Sequence, residues 1–246
     1  MRWPYPRTLA HRGGGALAPE NTLAALRFAA RLGFRGVEID ARLARDGVPV
    51  LMHDETVART TQSAGEVARL SSAELARLDA GAWKGPQWRG EPVPTLEAAL
   101  ELCATLGLWP NVEIKPAAGY ERDAGEAVAR TVARRWPPAR PSPLLSSFSE
   151  AALDAARAVA PAIPRALLVE RPPADWRERA RRLGCVALHC AVAAVDEALV
   201  REAHAAGLAL LAWTVDDLAT ARSLLAVGVD ALVTDALERI GPDFGS

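Results

Sequence analysis

His11 and Arg12 close the first apolar run of the chain, in Thr-Leu-Ala-His-Arg-Gly-Gly-Gly. Three more runs end on polar pairs: Glu38 and Asp40 in Val-Glu-Ile-Asp, His53 and Asp54 in Val-Leu-Met-His-Asp, Glu113 and Lys115 in Val-Glu-Ile-Lys. Four such endings in the first half of one chain suggest strand ends converging on a site. Two histidines, three of these four acids, an arginine and a lysine are what metal-assisted hydrolysis of a phosphate ester needs.

Side chains alternate along a strand, so Glu38 and Asp40 share one face while Val37 and Ile39 share the other. Glu113 and Lys115 repeat the pattern around Ile114. Three carboxylates within about 5 Å of one another repel by about 3 kcal/mol per pair at an effective dielectric near 20, so a cation is needed. All-oxygen ligands point to a hard ion, Mg²⁺ or Ca²⁺. Paired to arginines, any one of these acids would be unremarkable; together they predict a metal site.

His11 and His53 stand at strand ends among acids and are the candidate proton carriers. His204 falls in a helical stretch and reads as an ordinary structural side chain. His189 ends a strand without acidic company and stays open. Arg12 can grip a phosphoryl oxygen through its planar fork. Only two of the 29 basic residues are lysines, Lys84 and Lys115. Codon bias explains most of that, yet Lys115 beside the acids fits a need for a compact ammonium. Gly13-Gly14-Gly15 would allow backbone to approach a ligand, or be a flexible loop. Pro19-Glu20-Asn21-Thr22 opens a helix, Thr22 and Pro19 by capping and Asn21 with a second task at the substrate. Trp213 ends an apolar run and is expected either to wall the substrate or to pack in the core. Trp83 and Trp88 are weaker candidates of the same kind.

The elements that must position these residues follow a βα rhythm. Strands are expected at 7–11, 36–41, 48–53, 111–115, 143–147, 165–169, 185–189, 208–213 and 230–234. Helices are expected at 20–32, 95–106, 122–135, 149–159, 174–182, 195–206 and 216–227, several stopping at a glycine. The 246 residues suit one (β/α)8 barrel of about 250 residues. Nine strands are one too many, so one lies off the barrel. The link from Asp40 to Val48 is too short for a crossover helix. It predicts an extended return segment with a turn at Asp46-Gly47. Residues 54–94 form a small insertion after the third strand, with a capped short helix at Ser71–Leu75 and an irregular loop from Gly81 to Pro94. Long insertions of this kind are often lids.

A formal net charge of −1 argues against nucleic-acid binding, which needs a basic excess. Cys103, Cys185 and Cys190 show neither metal spacing nor a disulfide framework, and read as buried thiols of a cytoplasmic protein. The first residues lack the apolar run of a signal peptide, and no run approaches the roughly 18 residues of a membrane span. Oligomeric state leaves no sequence signal.

The motifs together resemble the glycerophosphodiester phosphodiesterase family, its cytosolic bacterial members above all. His-Arg-Gly stands at 11–13, Pro-Glu-Asn-Thr at 19–22, Glu-x-Asp at 38–40, Asp-Gly-x-Pro-Val-x-x-His-Asp at 46–54 and Glu-Ile-Lys at 113–115. The likeness continues through Leu145–Phe148, Trp213–Val215 and Gly228–Asp235, covering nearly the whole chain. It implies a (β/α)8 TIM-type barrel that hydrolyses glycerophosphodiesters, such as glycerophosphocholine, to glycerol 3-phosphate and an alcohol. By the resemblance, Glu38, Asp40 and Glu113 hold the metal, His11 and His53 act as general acid and base, Arg12 and Lys115 bind phosphate, and Trp213 packs on the glycerol. One departure is Asp216, where the family commonly has Asn after Trp-Thr-Val; it reads as a helix cap or as a modifier of alcohol preference. Two other functions compete. Lysophospholipase D-like or sphingomyelinase D-like action on lipids would need a greasy mouth, for which 5% aromatic content offers little. A non-catalytic phosphate binder on a decayed barrel should have lost a histidine or a metal acid, and none is missing.

Overall fold

The computed structural model describes residues 3–245. Nine strands form one sheet: β1 (Thr8–Ala10), β2 (Gly36–Leu43), β3 (Pro49–Leu51), β4 (Trp109–Ile114), β5 (Leu144–Ser147), β6 (Arg165–Val169), β7 (Ala187–Ala191), β8 (Ala209–Trp213) and β9 (Ala231–Thr234). Their order is β1-β9-β8-β7-β6-β5-β4-β2-β3, and a further β1–β2 pairing closes eight of them into a parallel barrel. The extra strand is β3. It lies antiparallel on the upper end of β2, with Ala41 opposite Leu51. The return turn falls at Asp46-Gly47, where Gly47 takes a φ of 75°. A chain this short between two strands can reverse but cannot cross over.

The helices that cover the barrel are α1 (Leu23–Arg31), then, after the short α2 (Ser72–Leu75), α3 (Leu96–Leu106), α4 (Glu121–Arg135), α5 (Glu150–Val159), α6 (Trp176–Leu183), α7 (Glu197–Ala205) and α8 (Leu218–Ala226). Local chemistry sets their ends. Thr22, Thr95, Ser149, Asp196 and Asp217 each accept a backbone N–H in the first turn. Such a cap is worth about 1 kcal/mol. Asp216 is therefore not the cap of α8; its neighbour Asp217 is. The helix α2 carries a full capping box between Ser71 and Glu74. Residues 82–84 and 86–88 form two single 3-10 turns where an irregular loop was expected. Among the described residues, no helix is long and apolar enough to cross a membrane.

Strand alternation divides the interior. Val37, Ile39, Val112 and Ile114 face outward and are buried against α1, α3 and α4. Burial of each is worth about 1.5–3 kcal/mol. A second helix-facing cluster covers β7 and β8. Inside the barrel, Leu9, Trp109, Leu144, Ala166, Ala187, Ala209 and Ala231 fill the lower layers. Tyr5 stacks on Trp109 at 4.2 Å and closes the floor. The insertion packs a small core of its own, including Val57, Val67, Leu75 and Val93. Cys103 and Cys190 are buried, Cys185 is partly so, and all three are free thiols.

Candidate active site

Above the apolar layers, the C-terminal ends of the strands turn polar, and a pocket of about 270 Å³ opens there. His11, Arg12, Glu38, Asp40, His53 and Glu113 all line it, with Lys115 and Trp213. Eight of the nine residues expected at the site thus meet in one cavity. Strand register explains much of this. Asp40 pairs with Glu113 across the β2–β4 ladder, so two of the three acids are direct neighbours. Oxygen atoms of Glu38, Asp40 and Glu113 lie within 4.8 Å of one another.

Backbone geometry supports the acids. Among the described residues, Arg12 and Asn21 are the non-glycine residues with positive φ, at 51° and 56°. That conformation costs an L-residue about 1–2 kcal/mol. Both bond to the acid pair. The Arg12 backbone N–H donates to Glu38 Oε2 at 3.1 Å. Asn21 Nδ2 donates to Asp40 Oδ2 at 2.7 Å, and the Asp40 backbone N–H donates to Asn21 Oδ1 at 3.0 Å. Asn21, expected at the substrate, is 4% exposed with both ends of its amide given to Asp40. The structure gives it the task of holding an acid in place. The glycines also differ from expectation. A Cβ on Gly15 would come within 2.5 Å of the Asp235 carbonyl oxygen, and one on Gly14 within 2.7 Å of Ala18. They permit close approach of protein to protein, not to a ligand.

His11 Nδ1 lies 2.9 Å from Asp235 Oδ1, while Nε2 meets the Arg12 Nε–H at 3.3 Å and lies 3.8 Å from Glu38 Oε2. Burial works against its protonation, but the Asp235 hydrogen bond and the Glu38 charge outweigh burial and hold the imidazole above its ordinary value. His53 Nδ1 lies 2.7 Å from Asp54 Oδ1. Burial keeps His53 below its ordinary value despite Asp40 and Asp54. The two histidines are therefore electrostatically unlike.

Lys115 Nζ donates to Glu113 Oε1 at 3.1 Å and sits 3.8 Å from Asp40 Oδ1. Burial opposes the charge on Asp40, but Lys115, His53 and Arg12 hold it below the usual carboxylate range. Burial first, then Asp40, pushes Glu38 up to about 8 and Glu113 up to about 7. Among the described residues, the buried Glu38 Oε1 has no hydrogen-bond partner. An unpartnered buried carboxylate oxygen facing two more acids is costly unless a cation completes it. The donor set fits one hard divalent ion.

Several contributors were not found from sequence. Asp235 follows Thr234 at the end of β9, so the same strand-end rule would have reached it. His189 lines the pocket from β7, fully inside the barrel, and burial pushes it down to about 3. It is a neutral imidazole of the cavity wall. Phe148 stands edge-on to Trp213 at 5.8 Å and completes an aromatic wall. Glu20 and Arg59 enter only through tertiary contacts: Arg12 Nη1 donates to Glu20 Oε1 at 2.8 Å, and Arg59 bonds both Glu20 and Asp54. Asp216 Oδ1 accepts from Thr234 Oγ1 at 3.1 Å and from the Asp235 N–H at 2.8 Å, so it braces the loop that carries His11's partner. Trp83 lines a neighbouring cleft with Lys84, whereas Trp88 packs on Phe28 away from the site. His204 pairs with Asp230 on the surface.

Residues 11–239 match the model of the Glycerophosphoryl diester phosphodiesterase family. A glycerophosphodiester phosphodiesterase of Caldanaerobacter subterraneus subsp. tengcongensis is 32% identical over 94% of this chain and 95% of its own. An Oleispira antarctica phosphodiesterase, solved in complex with the product sn-glycerol-3-phosphate, is 39% identical and superposes with a TM-score of 0.92, covering 96% of this chain and 95% of that one. A Thermotoga maritima glycerophosphodiester phosphodiesterase is 25% identical, with a TM-score of 0.76 over 96% and 97% of the two chains.

Proposed function

Because the chain belongs to the glycerophosphoryl diester phosphodiesterase family and is a phosphoric diester hydrolase, we propose that it cleaves glycerophosphodiesters to glycerol 3-phosphate and an alcohol. One observation carries this reading: His11 and His53 face one cavity that also holds the Glu38–Asp40–Glu113 cluster. The Oleispira antarctica relative binds sn-glycerol-3-phosphate, which supports the same product here.

Glu38, Asp40 and Glu113 would hold Mg²⁺ or Ca²⁺, which when bound would polarise the phosphoryl group and offset its charge. Arg12 and Lys115 flank the acids and add positive charge for the phosphoryl oxygens. His53, whose burial favours its unprotonated form, takes the proton from the attacking hydroxyl, either water, or a glycerol hydroxyl that closes a cyclic phosphate which water then opens to glycerol 3-phosphate. His11, kept more basic by Asp235, carries a proton to the oxygen of the leaving alcohol. Each such transfer is worth typically about 10²- to 10⁴-fold in rate. Trp213 and Phe148 offer an apolar wall to the carbon skeleton. Trp83 and Lys84 of the insertion line the cleft beside His11 and Arg12, which supports a lid role for 54–94.

The test is turnover of glycerophosphocholine, with detergent-dispersed lysophosphatidylcholine as the competing substrate. Release of glycerol 3-phosphate from the former supports the reading; activity on the lipid alone, or binding without turnover, overturns it.

A further inference from the structure

We propose that Arg59, in the insertion after β3, is a positioning residue that fixes the His53 imidazole and the Arg12 guanidinium relative to one another. The inference rests on the phosphodiesterase reading above and extends it to a residue outside the pocket.

Its guanidinium makes two forked contacts. Nε and Nη2 donate to Asp54 at 2.6 and 3.1 Å, and Nη1 and Nη2 donate to Glu20 at 2.7 Å each. Both carboxylates pass the contact inward. Asp54 Oδ1 meets His53 Nδ1 at 2.7 Å, and Glu20 Oε1 accepts from Arg12 Nη1 at 2.8 Å. A continuous chain of hydrogen bonds therefore runs from His53 through Asp54, Arg59 and Glu20 to Arg12. Only a planar fork can serve two carboxylates this way; a lysine ammonium is a point charge. The Arg59 side chain is 44% exposed, and exposed pairs add little to stability. Placement is what the arrangement supplies.

Loss of the clamp has two consequences. Arg12 Nε already lies 3.7 Å from Asp40 Oδ2. With Glu20 unanchored, the guanidinium is drawn onto the metal acids and away from the phosphate. Asp54, released from Arg59, gives its whole charge to His53. That imidazole otherwise faces Asp40, Arg12 and Lys115 across the pocket, so freeing Asp54 raises its basicity.

The experiment compares Arg59→Met and Arg59→Lys with the parent protein. Arg69→Met is the control, since Arg69 forms an exposed pair with Glu66 within the same insertion. Rates of glycerol 3-phosphate release are measured against pH, glycerol 3-phosphate binding is measured by calorimetry, and melting is followed. Arg59→Met is expected to lose about 10- to 100-fold in kcat/KM, with KM raised through Arg12 and kcat lowered through His53. The acidic limb of its pH profile moves upward, binding of glycerol 3-phosphate weakens, and melting stays close to the parent. Arg59→Lys fails to restore the rate, and Arg69→Met matches the parent. The proposal is overturned if Arg59→Met stays within twofold of the parent, if Arg59→Lys restores full activity, or if the loss merely follows the unfolded fraction. Should the parent turn over no glycerophosphodiester, the functional reading fails, and undiminished glycerol 3-phosphate binding by Arg59→Met then sinks the positioning role separately.

Discussion

His11 and Asp235, 224 residues apart in sequence, are joined by a 2.9 Å contact between Nδ1 and Oδ1. The ends of β1 and β9 are neighbours in the barrel, and that adjacency brings the pair together. The carboxylate holds the imidazole in place at the pocket, as an aspartate does for a catalytic histidine elsewhere. Asp235→Asn is expected to lower kcat by about 10²-fold or more while leaving KM nearly unchanged. Steady-state kinetics on glycerophosphocholine checks this; a variant within twofold of the parent would remove Asp235 from the mechanism.

The acids predict a proton balance for metal binding. Glu38 is pushed up to about 8 and Glu113 up to about 7 by burial and by Asp40. Near pH 7 each carboxyl is protonated part of the time, and a divalent ion displaces those protons. Affinity for Mg²⁺ or Ca²⁺ is therefore expected to rise between about pH 6 and about pH 9 and then level off. Titration calorimetry in two buffers of different ionisation enthalpy reads the released protons directly. Affinity independent of pH would mean the carboxylates are already fully ionised.

His189 makes a prediction about stability. Its folded value is about 3, against an ordinary 6.5. The unfolded chain binds a proton that the buried ring refuses, so its contribution is fully present above about pH 6.5 and is lost as the pH falls toward about 3. Between pH 7 and pH 5 the parent is expected to lose about 2 kcal/mol more than His189→Leu. Urea unfolding of both proteins at the two pH values measures it. Equal losses would show that the ring accepts a proton in the fold.

Asp216 braces Thr234 and the Asp235 N–H through one carboxylate oxygen. An amide oxygen can accept the same two bonds. Asp216→Asn is therefore expected to keep activity within about twofold, whereas Asp216→Ala loses about 1–3 kcal/mol by leaving buried donors unmet. Thermal melts and rates on the two variants decide the matter. A large change in alcohol preference for Asp216→Asn would assign the charge a role at the substrate instead.

Much of this was legible from alternation and capping. Val37-Glu38-Ile39-Asp40 has one arrangement as a barrel strand, and it places the acids inward. Thr22, Thr95 and Ser149 announce helix starts by themselves. The short link after Asp40 made the reversal at Asp46-Gly47 legible, but not that β3 is the strand off the barrel, because an antiparallel return strand has the same period as a barrel strand. The Asn21 bonds to Asp40 were not legible because its motif marks a helix start, while its amide answers to a residue on another element. Arg59 carried no local signal, and Glu20 stood inside Pro-Glu-Asn-Thr with nothing there to point to Arg12 or Arg59, since their meaning lies in a contact between distant segments. Asp216 was masked by Asp217, an equally good cap one residue later.

The most direct test is release of glycerol 3-phosphate from glycerophosphocholine by the natural protein and by His11→Ala, each with and without EDTA. The account predicts turnover by the natural protein, its loss on chelation with recovery on adding Mg²⁺ or Ca²⁺, and a rate at least about 10²-fold lower in His11→Ala. Turnover that persists in EDTA, or a His11→Ala protein as fast as the parent, would contradict it.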